Sequence, residues 1–450
     1  MKRELKIDRT KIPTPEKSIS IHFPEYFETT LDNGIRLIVI ENNKLPLVTA
    51  RFVFFTGSLY DHGRAGLASL TADLITKGTS TMTAPEIYES IEFFGASISG
   101  GCDSDASYLN FLTLKKYFPA VMNIACSLIN DSVFPEHEVE DAKLLKINSL
   151  LTLSDQGEYL VNKLFREKIY FGTPYENKPE GTKNAIEKIT REDINGFYKK
   201  YYKPNNLAIA MIGDISPDEA LDIVNENFHS AEKGEIEYIN SINPPPLKKN
   251  GVFIINRKGA VQSDICLGHI SVRKNNPDNI KLTVLNTLLG GYFISRINRN
   301  LREEKGYSYG ARSSFNLRRI SGDFSVDTNV SNALTGKAIK EIIKEIDLIR
   351  NHKVSEEELE NVKNYICGSF PLQLETPNVV AAKILNLLIY EMDKNFYDSY
   401  IAKVMEVTAE DILYSAQKYL NTENLTIAIA GNPEDIKPYL KEFGEIEIIN

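Results

Sequence analysis

Residues 189–214 read ITREDINGFYKKYYKPNNLAIAMIGD, and residues 407–432 read VTAEDILYSAQKYLNTENLTIAIAGN. At an offset of 218 positions, Thr190 and Thr408, Glu192 and Glu410, Asp193 and Asp411, Ile194 and Ile412, Asn206 and Asn424, Leu207 and Leu425, Ile209 and Ile427, and Gly213 and Gly431 coincide. A second pair, EVEDAK at 138–143 and ELENVK at 358–363, matches at an offset of 220. Self-similarity at one fixed, long spacing marks a tandem duplication, with two small insertions or deletions accounting for the drift.

Each repeat carries its own local instructions. Thr190 or Thr408 is a helix N-cap, and the acids that follow complement the positive end of the helix. Asn205-Asn206 and Glu423-Asn424 then turn the chain into the short apolar strands LAIAMIG and LTIAIAG, apolar enough to be central in a sheet. Outward from the first repeat, ETTLDNGIRLIVIENN and PLVTARFVFFTGS read as strands, with Asp32-Asn33-Gly34 supplying a hairpin turn. Helical patterns follow at about 63–77, 83–94, 116–131 and 135–153. Strands at the ends of each unit and helices in its middle predict an α+β fold of two tandem homologous domains, not a doubly wound parallel sheet. Each is expected to be a mostly antiparallel sheet with helices packed on one face. The stretch SAEKGEIEYINSINPPPLKKNG (230–251), with prolines at Pro244 to Pro246, reads as a linker, because such a run enters neither helix nor sheet. The boundary is placed there, giving domains 1–240 and 241–450.

Composition narrows the function. A chain of 450 residues exceeds one compact core, and its 42% hydrophobic and 25% charged residues are those of a folded globular protein. A net charge of −9 argues against nucleic acid as a partner. No run reaches the length of a membrane span, and the polar start Met1-Lys-Arg-Glu-Leu-Lys-Ile-Asp lacks a signal peptide's apolar core. The expected location is the cytoplasm, with a processed exported form left open. Cys102, Cys126, Cys266 and Cys367 are too scattered for a C-x-x-C pair and read as small buried hydrophobes.

The order of motifs resembles the pitrilysin/insulinase family of zinc peptidases, which includes the mitochondrial processing peptidases. The resemblance runs from about residue 25 to 432 and rests on Gly66-Leu67-Ala68 before a helix, L-x-x-K-G-T (74–79) at its end, the Phe94-Gly95-Ala96 block, the closing Y-x-P-N-N-L-x-I-A-x-x-G-D, and the tandem halves. It implies a metallopeptidase-like fold of the processing-peptidase type. That family's active site is H-x-x-E-H on one helix, with a third, carboxylate ligand on a later helix. Two imidazoles four positions apart share a helical face and grip one zinc ion, and the intervening glutamate activates its water. Here Ser69 stands at the first histidine, Ala72 at the glutamate and Asp73 at the second histidine. The later helix, AKLLKINSLLTL (142–153), has no carboxylate. One hard carboxylate cannot replace two imidazoles and a base, so no metal and no cofactor are expected on this chain, and it should not hydrolyse peptides alone. The other histidines, His22, His62, His137, His229, His269 and His352, are too dispersed for a site. PEHEVED, with Glu136, His137, Glu138, Glu140 and Asp141, reads as a solvated first turn.

The second half matches the family differently. In NTLLGGYFISRINRNLREEKGYSYGARSSF (286–315) the resemblance maps the family's substrate-binding arginine and tyrosine onto Arg302 and Tyr309. They would reach in trans across a dimer and stabilise the tetrahedral intermediate, as a permanent cation and a neutral hydroxyl can. On residue type alone, Arg302 also reads as a solvated charge and Tyr309 as half-buried strand packing. The implied function is the noncatalytic, substrate-binding subunit of a heterodimeric zinc endopeptidase. Its partner would be a paralogue carrying H-x-x-E-H and the zinc, and the two would enclose an extended peptide in a chamber. In the family the peptide adds to a sheet edge, which maps to residues 93–114. There Gly100 and Gly101 leave room for close backbone approach, while Asp103 and Asp105 either attract basic peptides or form an ordinary turn. Gly290 and Gly291 are either a peptide-facing loop or a packing break. Two other classes stay open: a structural or assembly subunit without catalysis, and a homodimeric peptide-binding protein.

Overall fold

The computed structural model describes residues 23–245 and 250–449. The chain start, His22 and Pro246 of the proline run, on which parts of the sequence reading fall, lie outside the described residues. Two six-stranded sheets organise the rest. The first contains β1 (Phe27–Thr30), β2 (Arg36–Glu41), β3 (Leu47–Phe54), β4 (Ser97–Cys102), β5 (Ser107–Leu114) and β6 (Leu207–Gly213) in the order β1-β2-β6-β3-β5-β4. The second contains β7 (Gly251–Asn256), β8 (Gln262–Ser271), β9 (Ala311–Leu317), β10 (Gly322–Ser331), β11 (Thr426–Gly431) and β12 (Glu445–Ile449) in the order β12-β7-β11-β8-β10-β9. Five strands of each sheet follow one path. The outermost differs: β1 precedes its sheet and runs antiparallel to β2, whereas β12 follows its sheet and runs parallel to β7. Both sheets are mostly antiparallel, and the fold is α+β as the sequence implies.

The repeat that decided the fold behaves as read. Thr190 and Asp193, and again Thr408 and Asp411, form reciprocal capping boxes at the starts of helices Arg191–Tyr201 and Ala409–Tyr419. The strands after them, β6 and β11, are buried along their whole length and central. The four helical patterns of the first half appear as Leu67–Leu74, Ala84–Phe93, Phe118–Asp131 and Glu136–Ser154.

Alternation along the central strands sorts side chains between two layers. In β6, Leu207, Ile209 and Met211 enter the core beneath the first half's own helices, while Ala208, Ala210 and Ile212 face the other way. That second face is covered by helix Pro377–Ile389 of the second half, through Val380, Ala381, Ile384 and Leu385. The arrangement is reciprocal. In β11, Ile427 and Ile429 enter the second half's core, while Ala428 and Ala430, with Cys266 of β8, join the cluster of helix Gly157–Ile169 from the first half. The two crossing helices start 220 residues apart, the offset that relates EVEDAK to ELENVK. Each sheet therefore carries its own helices on one face and a helix of the opposite half on the other. The segment leading toward the prolines is pinned to the first half, where Ile239 N–H donates to the Tyr60 hydroxyl (3.2 Å) and the Tyr238 hydroxyl to Asn206 Oδ1 (3.0 Å).

Candidate functional site

Helix Leu67–Leu74 begins at Gly66, whose φ of +100° is a left-handed conformation suited to glycine. The buried carboxylate of Asp61 accepts from the N–H groups of Gly66 and Ala68, both at 2.8 Å. Burial pushes that carboxyl up to about 7, against the pull of those two donors. The helix is thus held in place without the histidines and glutamate that the resemblance implies for it. Ala72, at the catalytic glutamate position, is fully buried. A Cβ added at Gly100 of β4 would lie 2.1 Å from the Ala72 carbonyl oxygen. Gly100 is therefore spent on strand-to-helix packing rather than left open for a ligand. A Cβ at Gly101 would meet the Tyr108 ring at 2.5 Å. Among the described residues β4 is an edge strand, paired only with β5, so its outer main chain lies at the margin of the sheet.

The donor set at Ser69 and Asp73, where the resemblance places the metal-binding histidines, does not fit a metal. Ser69 and Asp73 are bridged by Lys146 of helix Glu136–Ser154, whose ammonium donates to Ser69 Oγ (2.6 Å) and Asp73 Oδ2 (2.5 Å). An ammonium is a cation with no lone pair to offer. Among the described residues no group of three or more His, Cys, Asp and Glu is placed to hold a metal ion. His137 projects into solvent near Glu138, while Glu140 pairs with Lys143 at 2.9 Å, as a solvated first turn does. His62 sits in a turn with φ +47° and shares a 2.7 Å hydrogen bond with the Tyr201 hydroxyl.

Asp103 and Asp105 resolve as a turn. Asp103 accepts from the N–H groups of Asp105 and Ala106, both at 2.8 Å. Asp105 is buried, receives the Tyr175 hydroxyl, and accepts from Arg319 N–H at 3.1 Å. Burial raises its pKa. This acid joins the two halves and is not available to attract a basic peptide.

In the second half, Gly290, Gly291, Arg302 and Tyr309 line one cleft of about 820 Å³. Gly290 and Gly291 close a π-helical turn, Thr287–Gly291, and Arg302 lies in another, Arg299–Glu304; such turns are frequent at functional sites. A Cβ at Gly290 would meet Ser313 N at 2.6 Å, so the first glycine lets this turn approach β9, while Gly291 is partly exposed at the cleft. The Arg302 guanidinium lies 4.4 Å over the ring of Phe293, and among the described residues no carboxylate pairs with it. Tyr309 is 95% exposed, and its hydroxyl has no hydrogen bond among the described residues. The reading of Tyr309 as half-buried strand packing is thereby removed. Glu158 and Asn162, from the crossing helix of the first half, reach into the same cleft. Ser69, Ala72 and Asp73 do not; Asp73 and Lys146 line a separate pocket of about 490 Å³. One chain therefore does not bring its own Arg302 and Tyr309 to its own former metal position.

Two duplicated α+β halves, a capped helix where the resemblance places the metal motif and a separate arginine–tyrosine cleft define a metallopeptidase-like fold with no metal-binding group among the described residues. Residues 37–183 match the insulinase family, peptidase family M16, and residues 188–366 match the peptidase M16 inactive domain. The chain belongs to the M16 family, as a noncatalytic member. Similar to it is a non-peptidase homolog, YmxG, of Helicobacter pylori, 23% identical over 412 residues that cover 90% of this chain and 93% of that protein. The zinc protease PqqE of the same bacterium is 22% identical over 421 residues, covering 90% of this chain and 93% of that protein. A solved M16 inactive domain from Pseudomonas fluorescens superposes with a TM-score of 0.84 at 21% identity, covering 90% of this chain and 98% of that one. Among the described residues no helix is long and apolar enough to cross a membrane.

Proposed function

We propose that this chain is the noncatalytic, substrate-binding subunit of a heterodimeric zinc endopeptidase. Its partner is a paralogue with an intact H-x-x-E-H motif and the zinc ion. This chain, organised as domains 1–240 and 241–450, supplies Arg302 and Tyr309 in trans to the partner's metal site. The observation that carries the reading is the state of that pair: a guanidinium stacked on Phe293 and a solvent-exposed phenol line one cleft, with no carboxylate or hydrogen-bond partner among the described residues. Two free donors of this kind suit a developing oxyanion or a substrate carbonyl. An extended peptide would run along a sheet edge such as β4, using its main chain, with Gly290 and Gly291 bordering the cleft. The occurrence of both a non-peptidase homolog and a zinc protease of this type in one bacterium supports a division of labour between paralogues.

The test is coexpression with a paralogue carrying H-x-x-E-H, followed by copurification and peptide cleavage. Arg302→Ala and Tyr309→Phe are each expected to lower turnover of the complex by about 100-fold, the scale of losing one transition-state donor. Both side chains are exposed, so the thermal midpoint of the isolated chain should hold and the complex should still form. An intact complex with unchanged turnover would instead assign a structural or assembly role. Peptide binding by a homodimer without any partner would assign the third class.

A further inference from the structure

Lys146 comes from the helix that, by resemblance, would bring the third metal ligand, and its ammonium bridges the two residues standing at the histidine positions. Its side chain is only 12% exposed, against 44% for Asp73, so it is not a lysine lying loosely along a solvated helix face. The neighbouring acid Asp61, which caps the same short helix, also feels its charge. At the two positions that the resemblance gives to histidines stand a hydroxyl and a carboxylate, and one cation satisfies both.

We propose that the Lys146 ammonium occupies the cation position of the former metal site as a covalently attached substitute for the metal. It neutralises Asp73, satisfies Ser69 and ties helix Glu136–Ser154 to helix Leu67–Leu74. The first half therefore keeps its shape without metal. It also resists acquiring one, because a divalent cation arriving there meets a fixed positive charge where a ligand should be. This inference concerns the chain's own residues and stands whether or not the partner proposed above exists.

The experiment asks whether position 146 governs metal entry. In the full chain, Ser69→His/Asp73→His is compared with Ser69→His/Asp73→His/Lys146→Glu, using zinc titration by calorimetry and thermal unfolding with and without chelator. The triple variant is expected to bind one zinc at least about 100-fold more tightly than the double variant, and to lose thermal stability when chelator is added. Equal affinity in the two would overturn the proposal. Should the histidine variants fail to fold, Lys146→Met, Asp73→Asn and the pair together give a second reading. If the proposal holds, Lys146→Met lowers the midpoint in the wild-type background and has little effect once Asp73 is already Asn. An equal drop in both backgrounds would overturn it.

Discussion

His269, on β8, is 7% exposed with both ring nitrogens engaged. Nδ1 donates to the carbonyl of Ile270 (2.8 Å), and Nε2 accepts from Asn421 N–H (3.1 Å), an arrangement that requires the neutral ring. Burial pushes its pKa below the ordinary histidine value. The unfolded chain takes up this proton near pH 6.5 while the folded chain refuses it until lower pH, so the stability from His269 is full above about 6.5 and is lost as pH falls further. The urea midpoint of the wild type should therefore fall relative to that of His269→Gln as pH drops from about 7.5 to about 5.5. Comparison against the variant matters because Asp61 acts with opposite sign. Its carboxyl, raised to about 7, contributes stability that is complete below about pH 4 and is lost as pH climbs through 7. An unchanged difference between the two proteins across that range would show that His269 titrates alike folded and unfolded. At this scale the sequence was informative where spacing carried the meaning. The resemblance set Ser69, Ala72 and Asp73 at the spacing of one helix, and they do share helix Leu67–Leu74. Lys146 could not, because a lysine on a helix that also carries Lys143 looks like a solvated charge until the facing helix is in place.

At the scale of elements, β6 and β11 show both the reach and the limit of reading a pattern. Their apolar runs mark central strands, and the capping residues Thr190 and Thr408 fix where the preceding helices begin. The alternation of large and small in Ile209-Ala210-Met211 and Ile427-Ala428-Ile429-Ala430 records that something approaches one face closely. It does not record what, since the covering helix lies in the other half of the chain. Small side chains are needed there because that helix packs directly on the strand. Ala210→Leu adds three carbons between β6 and helix Pro377–Ile389 and should cost about 1–3 kcal/mol by overpacking, read as a lower urea midpoint. A change within about 0.5 kcal/mol would mean that the interface has slack.

For the whole molecule, the duplication marks two homologous halves, yet homology says nothing about whether they stand apart. Here they do not. The first half's core includes Cys266, Ala428 and Ala430, and the layer behind β6 consists of Ile38, Ala208 and Ala210 on one side and Val380, Ile384 and Leu385 on the other. Polar ties reinforce the junction: Tyr170 donates to Asp323 (3.2 Å), Arg318, itself paired with Asp323 (2.6 Å) within the second half, donates to the Tyr170 hydroxyl (3.0 Å), and Arg319 N–H reaches Asp105. Separating the halves would strip one face of each sheet and take the Tyr170 hydroxyl from the buried Arg318–Asp323 pair and the Arg319 N–H from buried Asp105, a loss of several kcal/mol from either half. Fragments 1–240 and 241–450 expressed apart should thus aggregate or lose cooperative unfolding, and coexpression should recover a one-to-one complex with the midpoint of the intact chain. Two fragments that each unfold cooperatively near that midpoint would show instead that the crossing helices are dispensable. Because the halves share both sheet faces, the proposed pairing with a zinc-bearing paralogue places the opening that admits a peptide to the Arg302–Tyr309 cleft between the two subunits rather than between the halves. Coexpressed fragments should then support cleavage with the zinc-bearing paralogue as well as the intact chain does, while a bridge fixed between the two subunits should abolish it.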